Sequence, residues 1–139
     1  MPSAQNLWGE LPNVSDIRTP TFVLKEQAVQ LTAATKGVLR GRVVVGQSSG
    51  FFTLQLRIVA PAIESYEYTV LDVTHGIEQY PVTLTPSWGK GRPDAGVKCS
   101  DEEHFRAALA TVLQDERVQR VIAALLAQSK AMGKVPVAS

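Results

Sequence analysis

Two stretches of alternating polarity constrain this chain more than anything else in it. Leu39, Val43 and Val45 share one side of an extended segment, with Arg40, Arg42 and Val44 on the other. Leu54, Leu56, Ile58 and Ala60 then share a side, with Thr53, Gln55, Arg57 and Val59 opposite. A period of two over this length is the pattern of a strand with one buried face. Gln47-Ser48-Ser49-Gly50 reads as a four-residue hairpin loop between them. That loop sets Val43 opposite Leu54, Val45 opposite Phe52, Arg42 opposite Gln55 and Arg40 opposite Arg57.

Pro61 ends the second strand, because proline cannot donate to a ladder. A third strand is predicted from Ser65 to Thr74, pairing Tyr66 with Ile58, Tyr68 with Leu56 and Val70 with Leu54. Glu67 then faces Arg57. The apolar phase changes at this point, since Leu71 and Val73 follow the parity of Glu67 and Thr69. Either a bulge near Val70 resets the phase, or the outer face is itself covered. Gln79 to Thr85 is the fourth predicted strand, and Pro81 makes it an edge.

Helices flank these strands. Thr19 caps a helix with Pro20 at its first position, and Leu24, Ala28, Leu31 and Thr35 form its apolar stripe. Lys36 falls in its last turn and Gly37 at its left-handed cap. Near the other end, Ser100 to Glu103 reads as a capping box. Phe105, Ala108, Leu109 and Val112 follow it at helical spacing. A stripe of Val118, Val121, Ile122 and Leu125 is out of phase with the first, which breaks the helix near Gln114. Asp115 then caps a last helix that ends by Met132-Gly133. The expectation is an α+β fold in the order α-β-β-β-β-α-α, a four-stranded antiparallel meander with its helices on one face. Residues 1–18 form an irregular lead-in whose Trp8 packs back on the domain, an exposed Trp8 marking a partner site instead, 19–132 a single domain, and 133–139 a tail.

Composition excludes several classes of function. A net charge of +1 over 139 residues gives no general attraction for nucleic acid or anionic lipid. The one cysteine, Cys99, rules out an intrachain disulfide and a four-cysteine zinc site. With no basic, apolar leader and no run long enough for a bilayer, a cytoplasmic location is the default. No cofactor or metal is expected.

The candidate sites are few. Trp88-Gly89-Lys90-Gly91-Arg92-Pro93 sets two cations beside an aromatic ring, which could hold a phosphate or a base, but a surface loop rooted by its Trp is the reading preferred. Arg40, Arg42 and Arg57 fall on the outer sheet face, where Glu67 neutralises them. Cys99 precedes a helix start, but His104 is misaligned for it, and His75 could approach only through the tertiary fold. The leading expectation is therefore a non-enzymatic protein-binding or accessory domain, as a homodimer or with another protein. An enzyme built from Cys99, His75 and Arg92 is the first alternative. A weak nucleic-acid module using Lys90, Arg92, Arg40 and Arg42 is the second.

Overall fold

Thr19 starts the first helix as its side chain dictates: its Oγ1 accepts the Phe22 amide at 3.0 Å, with Pro20 in the first turn. The computed structural model describes residues 5–13, 18–92 and 94–132. The expected tail over 133–139, Gly133 at the end of the last helix, Pro93, and parts of the 1–18 lead-in lie outside them. Helix α1 (Pro20–Ala34) buries Val23, Leu24 and Ala28. It ends sooner than its last-turn signals suggested. Lys36 lies past the helix at φ 54, beside Gly37 at φ 82, and the Gly37 amide closes the end on the Thr32 carbonyl at 2.8 Å.

The sheet is an antiparallel meander, with β1 (Arg40–Ser48), β2 (Phe51–Ala60), β3 (Tyr66–His75), β4 (Val82–Pro86) and β5 (Val97–Cys99) neighbouring one another in chain order. The fold is α+β, with five strands where four were expected. β5 has three residues, too few for alternation to show in a sequence. Because it pairs with β4, Pro81 does not mark a sheet edge. Pro81 precedes β4, so its missing N–H lies outside the ladder.

Register differs from the reading above by two residues in both hairpins. The first turn is Ser49-Gly50, with φ values of 51 and 85, so Val43 faces Leu56, Val45 faces Leu54 and Arg42 faces Arg57. A two-residue turn with both φ positive matches the twist of the strands it joins. In the second hairpin Tyr66 faces Ala60, Tyr68 faces Ile58 and Glu67 faces Val59. The register then slips between Leu56 and Arg57, leaving Val70 as the extra residue of a bulge. Beyond it Leu71 and Val73 pair with Leu56 and Leu54, and both are fully buried. The apolar phase is restored, and these two residues do not belong to the outer face.

Helices α2 (Glu102–Leu113) and α3 (Glu116–Met132) complete the chain. The α2 cap is Asp101, whose carboxylate accepts the His104 amide at 2.8 Å, and not Ser100. Asp115 accepts the Arg117 amide at the start of α3, as expected. One core holds α1, the inner sheet face, Phe105 and Leu109 of α2, and Val118 and Leu125 of α3.

The tightest joint between helix and sheet is at Gly41. A Cβ there would lie 2.3 Å from the Ala28 Cα, and the Gly41 amide donates to Thr32 Oγ1 at 3.1 Å. Backbone that close has no flexible side chain to yield. Gly41→Ala is expected to displace α1 and cost about 3 kcal/mol, read as a lowered thermal midpoint.

Candidate interaction surfaces

On the outer face, strand pairing sets Arg42 directly across from Arg57. Like charges so placed repel unless a third group intervenes. Glu67 does so, one oxygen 2.7 Å from Arg42 and the other 3.0 Å from Arg57. Gln55 Oε1 accepts Arg57 Nε at 3.0 Å, which fixes the guanidinium plane. The Arg57 hydrogen bond, with help from both positive charges, holds the Glu67 carboxyl below its ordinary value of 4.5. Arg40 stands apart at the strand start, exposed, across from Val59. Two of the three candidate arginines are therefore brought together, and their charge is half neutralised.

Trp88 and Lys90 do not form an open clamp. Trp88 sits in a short 3-10 turn, and the Arg117 guanidinium lies 4.9 Å from its ring centre. Lys90 Nζ is 4.0 Å from Asp72 on β3. Arg92 is exposed, and its backbone amide closes a turn on the Gly89 carbonyl. Gly89 is buried against Ala95, so the loop folds back on its own root.

Cys99, His75 and Arg92 do not converge among the described residues. His75 faces Val82, and Val82 faces Cys99, so both side chains lie on the inner face with a strand between them. Two strand spacings make about 10 Å, beyond hydrogen-bond reach. The His75 ring stacks on Phe52 at 5.3 Å, with Nδ1 2.6 Å from the Gly76 carbonyl oxygen and Nε2 buried with no hydrogen-bond partner among the described residues. The Cys99 thiol is fully buried, and burial, reinforced by the Asp101 charge, pushes its pKa up. A thiolate there is disfavoured. No group of three or more His, Cys, Asp or Glu among the described residues could hold a metal ion.

Sequence reasoning missed one surface and weighed a second without placing it. The first is a cleft of about 490 Å³ between α1 and the α2–α3 corner, floored by Leu56, Ile58 and Val70. Its walls include Leu31, Leu109, Leu113 and Ile122, and Gln27, Gln30, Gln114 and Gln119 stand at its rim. Arg106 ties one end together, bonded to Glu26 of α1 at 2.8 Å and to Glu102 at 2.7 Å. The size suits a ligand site, but the lining offers no acid–base pair. No periodicity could have revealed it, since its walls come from separate elements.

The other surface is the N-terminal segment. Asn6 Oδ1 accepts the Trp8 amide at 2.9 Å, and its side-chain amide donates to the Gly9 carbonyl at 3.2 Å. This local turn leaves Leu7, Trp8 and Leu11 exposed at 84%, 82% and 64%. Trp8 does not pack back on the domain. The Tyr80 hydroxyl holds the root of the segment, donating to the Arg18 carbonyl at 2.9 Å.

No family model, curated protein or solved structure matches the chain. No helix among the described residues is long and apolar enough to cross a membrane.

Two outcomes follow from this geometry. Glu67 contributes stability above its unfolded pKa, and that contribution is lost as pH falls through its lowered folded value. Acid unfolding curves should therefore show a stabilising increment vanishing below pH 4.5 that Glu67→Gln lacks. Cys99 in the folded protein is expected to alkylate at neutral pH at least about tenfold more slowly than in the urea-unfolded chain.

Proposed function

We propose that the chain is a non-enzymatic binding domain that acts through a protein–protein interface. The observation that carries this reading is the exposure of Leu7, Trp8 and Leu11 on one short turn. Three large apolar side chains held in water have a cost that a partner's pocket removes, and Trp is the residue most enriched among interface anchors. Scattered apolar side chains on a surface need no such account. Three within five residues, on a segment whose described residues contribute nothing to the core, do.

The alternatives have less support. An enzyme using Cys99, His75 and Arg92 needs a nucleophile and base in reach of each other, whereas Val82 separates the thiol from the imidazole. A nucleic-acid platform needs free cations, whereas Arg42 and Arg57 share Glu67, and Lys90 leans toward Asp72. The cleft favours binding as well, since its aliphatic walls and amide rim offer contact area without reactive groups. A reducing, cytoplasmic setting suits a chain whose one thiol is buried and unpaired.

Trp8→Ala with Leu11→Ala tests the reading. Both positions are exposed, so the double variant is expected to keep the thermal midpoint of the wild type. Immobilised wild-type chain should retain a specific protein from native lysate, and the double variant should lose it. If both retain the same proteins, or the wild type retains none, the proposal fails.

A further inference from the structure

We propose that the free edge of β1 pairs with β1 of a second copy, in antiparallel register about Val45, to make one continuous ten-stranded sheet. This rests on the reading of the chain as an interface-forming domain, but it uses a different surface from the Trp8 segment.

The two edges of the sheet are unlike. β5 ends one side after three residues, and α2 begins almost at once behind it. β1 ends the other side with nine residues in unbroken register with β2. Solitary soluble proteins blunt such an edge with a bulge, a proline, charged side chains or a covering helix. In β1 the two arginines and the helix contact fall at its start, over Arg40 to Arg42, and Val43 to Ser48 carry no charge, proline or bulge.

The hydrogen-bonding phase of that edge can be read from one contact. The Gly41 amide points away from β2, because it donates to Thr32 Oγ1 of α1. Backbone direction alternates along a strand, so the amides and carbonyls of Val43, Val45 and Gln47 face the same open side. Helix α1 takes up that side at Gly41. The segment left open is Arg42 to Ser48, and its midpoint is Val45.

That midpoint selects the register. A twofold axis at Val45 sets Val43 against Gln47 and Val45 against its own copy, and every one of these residues has outward-facing hydrogen-bonding groups. Arg42 then faces Ser48 and Arg40 faces Gly50, so no like charges oppose each other. Centring the pair on Val44 instead would call on the Gly41 amide, which Thr32 already holds. Val45 points to the inner side of the sheet, across from Leu54, yet is 50% exposed. In the paired form it would be covered by the same residue of the second copy. The second copy's hairpin tip would also arrive beside the shallow groove of Ala28, Val29, Thr32 and Ala33, where Val29 is 65% exposed.

Cross-linking reads the register directly, because the one native thiol is buried. Facing residues in a hydrogen-bonded antiparallel pair have Cα atoms about 5.5 Å apart, within disulfide range. Val45→Cys should oxidise to a disulfide dimer. Gln47→Cys alone should not, as its two copies would sit roughly 14 Å apart, while a mixture of Val43→Cys and Gln47→Cys chains should cross-link. The wild type should have twice the 15.0 kDa chain mass in solution, and Val45→Lys should lose that species while staying folded. A wild-type monomer, or a dimer in which Gln47→Cys links as readily as Val45→Cys, would overturn the proposal. Trp8→Ala separates the two readings. A monomer that still holds its partner through Trp8 sinks only the strand pairing, and a dimer indifferent to Trp8 in partner capture sinks only the segment.

Discussion

The extra residue at Val70 decides which way the second half of β3 faces, and the two sides of the sheet follow from that. Without it, Tyr68 would lie inward while Leu71, Val73 and His75 pointed to water. With it, all four lie on the helix side, and Val70 is itself buried at 1% exposure. The outer face then keeps Glu67, Thr69, Asp72 and Thr74 from β3, beside Arg57 and Gln55 from β2. One inserted residue separates a greasy side from a charged one, at the cost of local ladder pairing. The helices need only one apolar side, and they get it.

Much of this order was legible from residues alone, in proportion to how local each signal is. The Thr19 cap, the Asp115 cap and the bulge near Val70 each rest on a few neighbouring side chains, and the structure has them. The hairpin registers were misjudged by two residues. Such a shift leaves every side chain on its own face, so apolar patterning cannot detect it, and turn geometry alone decides. Gln47 and Ser48 are strand residues because Ser49 and Gly50 suffice for the turn. Helix capping shows the same limit at α2: Ser100 and Asp101 are adjacent acceptors, and backbone geometry chose the second.

The candidate sites divide along similar lines. That Glu67 would lie between arginines was readable, because strand alternation confines all three to one face. Which arginines it joins depended on register. His75 and Cys99 share the inner face, yet an intervening strand keeps them apart, and nothing in their sequence separation foretold β4 between them. The cleft beside Leu31 and Ile122 arises from the angle at which helices meet the sheet, a quantity no spacing encodes. Trp8 was misplaced for a simpler reason: its own neighbours, Asn6 and Gly9, satisfy the local backbone without help from the domain.

Tyr80 has a consequence for the segment that carries Trp8. Its phenol packs edge-on against Phe105 of α2 and donates to the Arg18 carbonyl. Burial, followed by the Glu102 charge, pushes its pKa up to about 12. The hydroxyl therefore keeps its proton, and its grip on Arg18, throughout the range of acidity that living compartments span. The chain at Arg18 is moored to the α2 end of the molecule by a knot that changes of pH do not untie.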